Sequence, residues 1–159
     1  MRIAFGTDED TELTAALVAE LVSGGHDVDT VAAGAEWPEV GRAVGEAVAG
    51  GRAERGVVCC HTGTGVAMAA NKVPGVRAAL CTDAETAAGA RRWNDANVLA
   101  FGLRLASLAV VRQMLSAFLG TEPEDSELAA IGRLEPWPAP VPGPGAGRGA
   151  DRGASDTSR

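Results

Sequence analysis

The stretch RGVVCCHTGTGVAMAANK, residues 55–72, decides the fold. Its first six residues form a short apolar run of β-forming type, which predicts a strand. The glycine-rich turn HTGTG follows at once, and the small apolar residues of VAMAANK favour a helix after it. A strand that passes through a glycine turn into a helix is typical of the crossover unit of a parallel sheet.

The rest of the chain repeats this alternation. Four further β-like runs lie at residues 2–6, 26–31, 77–81 and 97–102. Between and after the runs, apolar residues recur every three or four positions, which predicts helices. These stripes are Leu13, Leu17 and Leu21; Val40, Val44 and Val48; and Leu108, Val111, Leu115 and Phe118. Gly24 and Gly25 are expected to end the first helix. The pattern predicts an α/β fold: a Rossmann-like, doubly wound parallel five-stranded sheet in a three-layer α/β/α sandwich.

Composition sets the domain plan and excludes several classes of protein. With 159 residues and a formal net charge of −7, the chain has room for one domain and repels phosphate backbones, so we expect no nucleic-acid partner. No apolar run approaches the roughly 18 residues of a membrane span, and no signal peptide precedes the first strand, which predicts a cytoplasmic protein. Five of the eight prolines fall after residue 134. We therefore expect a domain at 1–134 and a disordered Pro/Gly-rich tail at 135–159.

The turn after the third strand carries the densest set of polar groups. Ligands of such sheets bind beyond the carboxyl ends of the strands, where Asp8, Arg104 and the loop 60–65 are expected. Alternating glycines in that loop let backbone N–H groups converge, as in an anion cradle. The loop lacks the third glycine of GxGxxG and the Lys of a P-loop. A tight turn with no ligand is the alternative reading.

The cysteines differ in their expected roles. Cys60 ends the third strand beside the start of a helix, where a thiolate is stabilised, so it is a candidate general base. Cys59 is expected on the opposite face of the sheet, in the core, because side chains alternate along a strand. Cys81 is expected in the core as well. Their odd number and spacing argue against a disulfide framework or a zinc site.

A family resemblance joins these motifs. The segment GVVCCHTGTGVAMAANKVPGVRAALC at 56–81, followed by WNDANVLAFGLR at 93–104, strongly resembles the ribose-5-phosphate isomerase B family, which includes the galactose-6-phosphate isomerase subunits. The opening RIAFGTD at 2–8 fits the same pattern. The resemblance covers roughly residues 1–120. It implies a cofactor-free aldose–ketose isomerase that acts on a sugar phosphate as a homodimer or homotetramer, with active sites shared between subunits.

The resemblance also implies roles for single residues. Cys60 matches the cysteine that removes the proton next to the carbonyl, and Thr62 matches a threonine near the ring-opening site. Backbone N–H groups of Gly63 and Gly65 would hold the enediolate, with Thr64 between them in the loop. The remaining expected substrate contacts are Asp8, His61, Asn94, Asn97 and Arg104. The family has glycine at the position of His61, so the resemblance gives this residue no role. His61 either replaces a lost acid or base or is merely solvated.

Other departures from the family change residues that it uses for proton transfer and for phosphate binding. Glu9 and Trp93 stand where the family has histidines, and an indole cannot accept a proton as imidazole can. Trp37 replaces a tyrosine, and Arg133 alone remains near the late phosphate-binding motif. The tryptophans either stack on a substrate or pack at an interface. Arg91 and Arg92, together with Asp83 and Glu85, are expected on the solvated face of a helix.

Three functions therefore stay open from the sequence. The first is a sugar-phosphate isomerase of the ribose 5-phosphate to ribulose 5-phosphate type. The second is a divergent isomerase or epimerase of an open-chain, unphosphorylated or nucleotide-linked sugar. The third is an inactive homologue with a binding role, against which the intact Cys60 and glycine loop argue.

Overall fold

Five parallel strands form one sheet in the order β2-β1-β3-β5-β4 in the computed structural model, which describes residues 1–134. The strands are β1 (Arg2–Thr7), β2 (Asp27–Ala33), β3 (Arg55–Cys60), β4 (Ala78–Leu80) and β5 (Val98–Gly102). The helices are α1 (Glu12–Ser23), α2 (Trp37–Ala49), α3 (Thr64–Ala70), α4 (Ala84–Asn94), α5 (Leu108–Gly120) and α6 (Leu128–Ile131), with a 3₁₀ turn at Asp125–Glu127. All five predicted strands are confirmed, and with them the Rossmann-like α/β fold. The predicted tail lies outside the described residues.

The sheet separates two apolar cores. One core packs side chains of α1, α4 and α5 against one face of the sheet, and the other packs α2 and α3 against the opposite face. Cys59 belongs to the first core and Cys60 to the second, as the alternation along β3 predicts. The helical stripes supply the buried anchors, such as Leu17, Val44 and Phe118. Burial of each side chain of this size contributes about 1.5–3 kcal/mol. No helix within residues 1–134 has the length and apolar character needed to cross a membrane.

Side-chain caps fix the points at which the chain leaves the carboxyl edge of the sheet. The N-cap residue of α1, Thr11, accepts a hydrogen bond from the Thr14 N–H, and the two residues form a capping box. Asp83 caps α4 and Ser107 caps α5 in the same manner. Each cap of this kind contributes about 1 kcal/mol. The loops after β1, β4 and β5 are therefore short and anchored, which holds the residues at their tips in place.

Helices α2 and α3 approach each other closely at Gly41. A Cβ atom at Gly41 would lie 2.5 Å from the Cβ of Ala69 and 2.6 Å from the carbonyl oxygen of Val66. Only a hydrogen atom fits this space. The contact holds the second half of α3 against α2 and so fixes the helix that follows the loop after β3.

We expect Gly41→Ala to lower the free energy of unfolding by about 1–3 kcal/mol, since the added methyl group overpacks the contact between α2 and α3. Urea denaturation measures the change. Gly120→Ala is the matched control, because a Cβ there meets nothing within 4 Å, and its midpoint should stay close to that of the unmodified chain. Equal midpoints for the two variants would contradict the close packing of α2 on α3.

Candidate active site

Cys60 lies at the centre of the carboxyl edge of the sheet. It is the last residue of β3, between β1 and β5. Thr7 of β1 pairs with Cys59, so Asp8 comes beside Cys60 at the strand separation of roughly 5 Å. On the other side Cys60 pairs with Gly102 of β5. The candidate base, the carboxyl group after β1 and the loop after β5 therefore meet at one edge, as the sequence predicts.

The glycine loop folds back onto the sulfur of Cys60. The N–H of Gly63 donates a hydrogen bond to Cys60 Sγ at 3.2 Å. Gly63 has φ +77°, and a Cβ there would lie 2.5 Å from the carbonyl carbon of Phe101. Cys60 is only 5% exposed. One of the two N–H groups predicted to hold the enediolate thus contacts the candidate base itself.

The second half of the loop begins α3. The first N–H groups of a helix have no carbonyl partner within it, so those of Thr64 and Gly65 point outward from its start. Gly65 lies against the indole of Trp37, where a Cβ would come within 2.9 Å of the ring. The indole is still 45% exposed. The hydroxyl groups of Thr62 and Thr64 lie 2.8 Å apart. Trp37 therefore packs within its own chain and keeps one part of its ring accessible beside the loop.

Two carboxyl groups and an imidazole surround the tip of β1. Asp8 Oδ1 is buried and has no hydrogen-bond partner among the described residues. Burial raises the pKa of Asp8, and the neighbouring charge of Glu9 raises it further. His61 Nδ1 lies 3.7 Å from Glu9 Oε1, at ion-pair distance. Thr7 holds the turn, since its hydroxyl donates to the carbonyl oxygen of Glu9 at 2.8 Å.

Two grooves border these residues. The first, which we term the β5 groove, has a volume of about 300 Å³ and lies between the ends of β4 and β5 and the start of α5. It is lined by polar groups of His61, Thr62, Thr82 and Arg104 and by apolar groups that include Leu80, Phe101, Leu105, Val110 and Met114. The second, which we term the α2–α3 groove, has a volume of about 680 Å³ and is lined by residues that include Trp37, Arg42, Met68 and Lys72. Arg104, a predicted substrate contact, is exposed at the polar end of the β5 groove.

Two of the predicted site residues lie at the other edge of the sheet. Asn94 ends α4 and Asn97 precedes β5, so both are near the amino end of β5, whereas Cys60 is near its carboxyl end. The five residues of β5 span about 16 Å. Both amide atoms of Asn97 are already engaged at 2.8 Å, by the N–H of Arg77 and the carbonyl of Gly75. One chain therefore does not bring Asn94 and Cys60 together.

The expectation that Arg91 lies on a solvated helix face is wrong. Its side chain is 1% exposed. It forms an ion pair with Asp95 at 2.5 Å, and its guanidinium carbon lies 5.8 Å from the centre of the Phe118 ring. The i, i+4 spacing of Arg91 and Asp95 is a visible signal in the sequence, but it does not reveal that the helix turns this face inward. Within residues 1–134, no three His, Cys, Asp or Glu side chains converge in a way that could hold a metal ion.

Comparison with known proteins gives one consistent family. The model of the family described as Ribose/Galactose Isomerase matches residues 3–134. The chain is 38% identical over 128 residues to the ribose-5-phosphate isomerase B of Escherichia coli, covering 77% of this chain and 86% of that protein. It is 35% identical over 130 residues to D-erythrulose-4-phosphate isomerase 2 of Mycolicibacterium smegmatis, covering 80% and 82%. A solved structure of ribose-5-phosphate isomerase B from Clostridium thermocellum matches with a TM-score of 0.78 and 34% identity, over 84% of this chain and 95% of that chain.

We expect stability to fall as pH rises from 9 to 11, because two cysteines hold their protons in the core. Burial raises the pKa of Cys59 to about 12 and that of Cys81 to about 11. An unfolded chain releases these protons near its ordinary thiol pKa of about 8.5, so alkaline pH favours the unfolded state. Each group contributes a slope of at most about 1.4 kcal/mol per pH unit.

Urea denaturation at pH 8 and pH 10.5 measures this dependence. The chain has no tyrosine, so the thiols dominate the titration in this range. Cys59→Ala and Cys81→Ala should each reduce the loss of stability between the two pH values. An unchanged loss in both variants would show that these thiols are not the cause.

Proposed function

The chain belongs to the Ribose/Galactose Isomerase family of sugar-phosphate isomerases, and we propose that it interconverts an aldose and a ketose phosphate of the ribose 5-phosphate and ribulose 5-phosphate type. The observation that carries the proposal is the hydrogen bond from the Gly63 N–H to Cys60 Sγ. This hydrogen bond fixes the sulfur beside the glycine loop, and a base next to an array of backbone N–H groups is what proton transfer through an enediolate requires.

The proposed reaction moves two protons. The Cys60 thiolate takes the proton from C2 of the open-chain aldose, the C–H electron pair forms a C1=C2 bond, and the carbonyl oxygen O1 becomes an oxyanion. The N–H groups of Thr64 and Gly65, at the start of α3, stabilise the charge on the enediolate. The Cys60 thiol then returns a proton to C1, while a second proton moves from O2 to O1. The product is the ketose, and Cys60 is again a thiolate.

His61 and Thr62 are the candidates for the transfer between the oxygens. Both border the β5 groove, directly after Cys60 in the chain. The imidazole of His61 lies 3.7 Å from the Glu9 carboxylate, and its ring nitrogens can both donate and accept the proton that moves between O2 and O1. The hydroxyl of Thr62, in contact with that of Thr64, donates and accepts in the same step.

The remaining polar groups bind the sugar. The unpartnered Oδ1 of Asp8 accepts a hydrogen bond from a substrate hydroxyl, which removes the cost of leaving a buried acceptor unsatisfied. Arg104 offers positive charge to the phosphate at the polar end of the β5 groove. Trp37 offers the exposed part of its ring to the apolar face of the sugar.

A second candidate substrate is a sugar without a terminal phosphate. The Glu9 carboxylate at the mouth of the site favours it, since that charge repels a phosphate dianion. Nothing in the proton-transfer chemistry at Cys60 requires a phosphate. The two substrates share the base and the anion cradle and differ only in the groups at the mouth.

We further propose that two copies of the chain share each site. Asn94 is exposed at the amino edge of the sheet, and β5 separates it from Cys60 of the same chain. Contact of both residues with one small sugar therefore requires two chains. A two-fold arrangement, in which the amino edge of each copy faces the carboxyl edge of the other, supplies both sites at once.

We expect Cys60→Ala to abolish isomerisation of ribose 5-phosphate and, with it, exchange of the C2 proton, with a loss of at least about 10²-fold. Proton NMR in D2O follows both the C2 signal and the appearance of ribulose 5-phosphate. Cys59→Ala is the matched control and should retain activity, because Cys59 is buried in the core on the opposite face of the sheet from Cys60. Activity that survives Cys60→Ala would rule out Cys60 as the base. No turnover by the unmodified protein would redirect the test to unphosphorylated aldoses.

We expect inactive Cys60→Ala and impaired Asn94→Ala chains to restore activity when they are mixed and reassembled. Each mixed dimer contains one site with both residues intact, so an equal mixture should recover about one quarter of the unmodified activity. The assay is turnover after the subunits are exchanged under mild denaturant. No recovery from two folded, exchanging variants would contradict a shared site.

A further inference from the structure

The turn between α4 and β5 has an unusual backbone. Asp95 has φ 46°, and no other residue except glycine has a positive φ among residues 1–134. Side chains rarely adopt this left-handed conformation, and glycine adopts it at no steric cost. Asp and Asn adopt it more readily than other side chains do, so Asp95 ends α4 in this conformation and also places a carboxylate in the turn.

Two arginines hold the Asp95 side chain, one at each carboxylate oxygen. Arg91 Nη1 contacts Oδ1 at 2.5 Å, and Arg77 Nη2 contacts Oδ2 at 2.8 Å. Arg77 Nε also donates to the backbone carbonyl of Asp95 at 2.8 Å. Both carboxylate oxygens and the carbonyl are thus fixed by charge-assisted hydrogen bonds, the strongest kind that side chains form.

The contacts of Arg77 and Arg91 with Asp95, which we term the Asp95 clamp, connect the turn to the rest of the fold. Arg91 is buried, and its Nη1 also donates to the carbonyl of Ala96 at 2.8 Å, while its Nε donates to that of Thr121 at 3.2 Å. Its guanidinium lies over the Phe118 ring of α5. The turn is therefore held from α5, from the segment before β4 and from its own helix.

The residues just before this rigid turn are exposed. Asn94 is exposed, and Trp93 is 50% exposed with its ring over Gly89 of α4, where a Cβ would lie 2.7 Å from the ring. The fixed Asp95 turn directly follows the exposed amide of Asn94 and the exposed indole of Trp93. A fixed support of this kind pre-orients the binding groups next to it. We propose that Asp95, clamped by Arg77 and Arg91, is a positioning residue that fixes Asn94 and Trp93 for the active site of a second copy of the chain. This inference rests on the proposed shared site.

The test assigns Asp95 to one half of the shared site by mixing subunits. We expect Asp95→Ala homo-oligomers to lose at least tenfold in kcat. Asp95→Ala chains mixed with Cys60→Ala chains should recover activity, since the mixed dimer has one site with Cys60 and an intact turn. Mixed with Asn94→Ala chains they should recover none. Asp29→Ala, on the exposed edge strand β2, is the control and should keep full activity.

Asp95→Asn keeps the test valid if the alanine variant does not fold. Asparagine also tolerates the left-handed conformation and retains one carbonyl acceptor, so we expect a smaller loss in the same pairing pattern. Three results would each overturn the proposal. The first is full activity of folded Asp95→Ala, and the second is recovery of activity when Asp95→Ala and Asn94→Ala chains are mixed. The third is no recovery of activity when folded Asp95 variants are mixed with Cys60→Ala chains. If the Cys60→Ala and Asn94→Ala mixture alone stays inactive, the shared site and this inference fall together, while turnover by the unmodified protein still stands as evidence for the isomerase.

Discussion

The common direction of the five strands is the constraint on which the rest of the structure depends. Because β1, β3 and β5 run parallel and in register, Asp8, Cys60 and the loop after Gly102 meet at one edge of the sheet. The same direction sends the turn between α4 and β5 to the opposite edge. The candidate site residues therefore divide into two groups. The candidate base Cys60, the glycine loop and the β5 groove lie at the carboxyl edge, and the exposed amide and indole of Asn94 and Trp93 lie at the amino edge.

Close contacts at glycine positions make the carboxyl edge rigid. Gly63 is pressed against the backbone of β5, and Gly65 against the Trp37 ring, so a Cβ at either position would displace a neighbour. The packing of α2 on α3 at Gly41 holds the helix that follows this loop. The loop is thus placed by contacts with β5, α2 and its own sulfur partner. Rigid placement of donors, rather than their number, is what makes electrostatic stabilisation of a developing charge effective.

The sequence predicts the fold well because its signals are local. Short apolar runs, helical stripes and glycine stops depend on neighbouring residues, and the alternation along β3 assigns Cys59 and Cys60 to opposite faces correctly. The carboxyl-edge half of the site follows from the same reasoning, since parallel topology fixes which residues come after each strand. The structure places the predicted Asp8, Cys60, His61, Thr62 and Arg104 at that edge.

What the sequence does not predict depends on contacts between distant segments. The burial of Arg91 results from the way α4 packs on α5, and the engagement of Asn97 results from the path of the segment around Gly75. Trp37 of α2 contacts Gly65 of α3. The apolar pattern of one helix does not predict which residue of another helix it meets. Each of these facts requires a three-dimensional neighbour, whereas periodicity reports only which face of an element is apolar.

The first experiment is a crystal structure of the protein with a four-carbon hydroxamate, whose nitrogen and carbonyl carbon mimic C1 and C2 in the enediolate of a five-carbon sugar. We expect the hydroxamate oxygens to lie within about 3 Å of the N–H groups at the start of α3. Cys60 Sγ should lie next to the nitrogen and carbonyl carbon of the hydroxamate, and Asn94 of a second copy should contact the same molecule. The hydroxamate in the α2–α3 groove, or held at Cys60 by residues of one chain alone, would contradict this expectation.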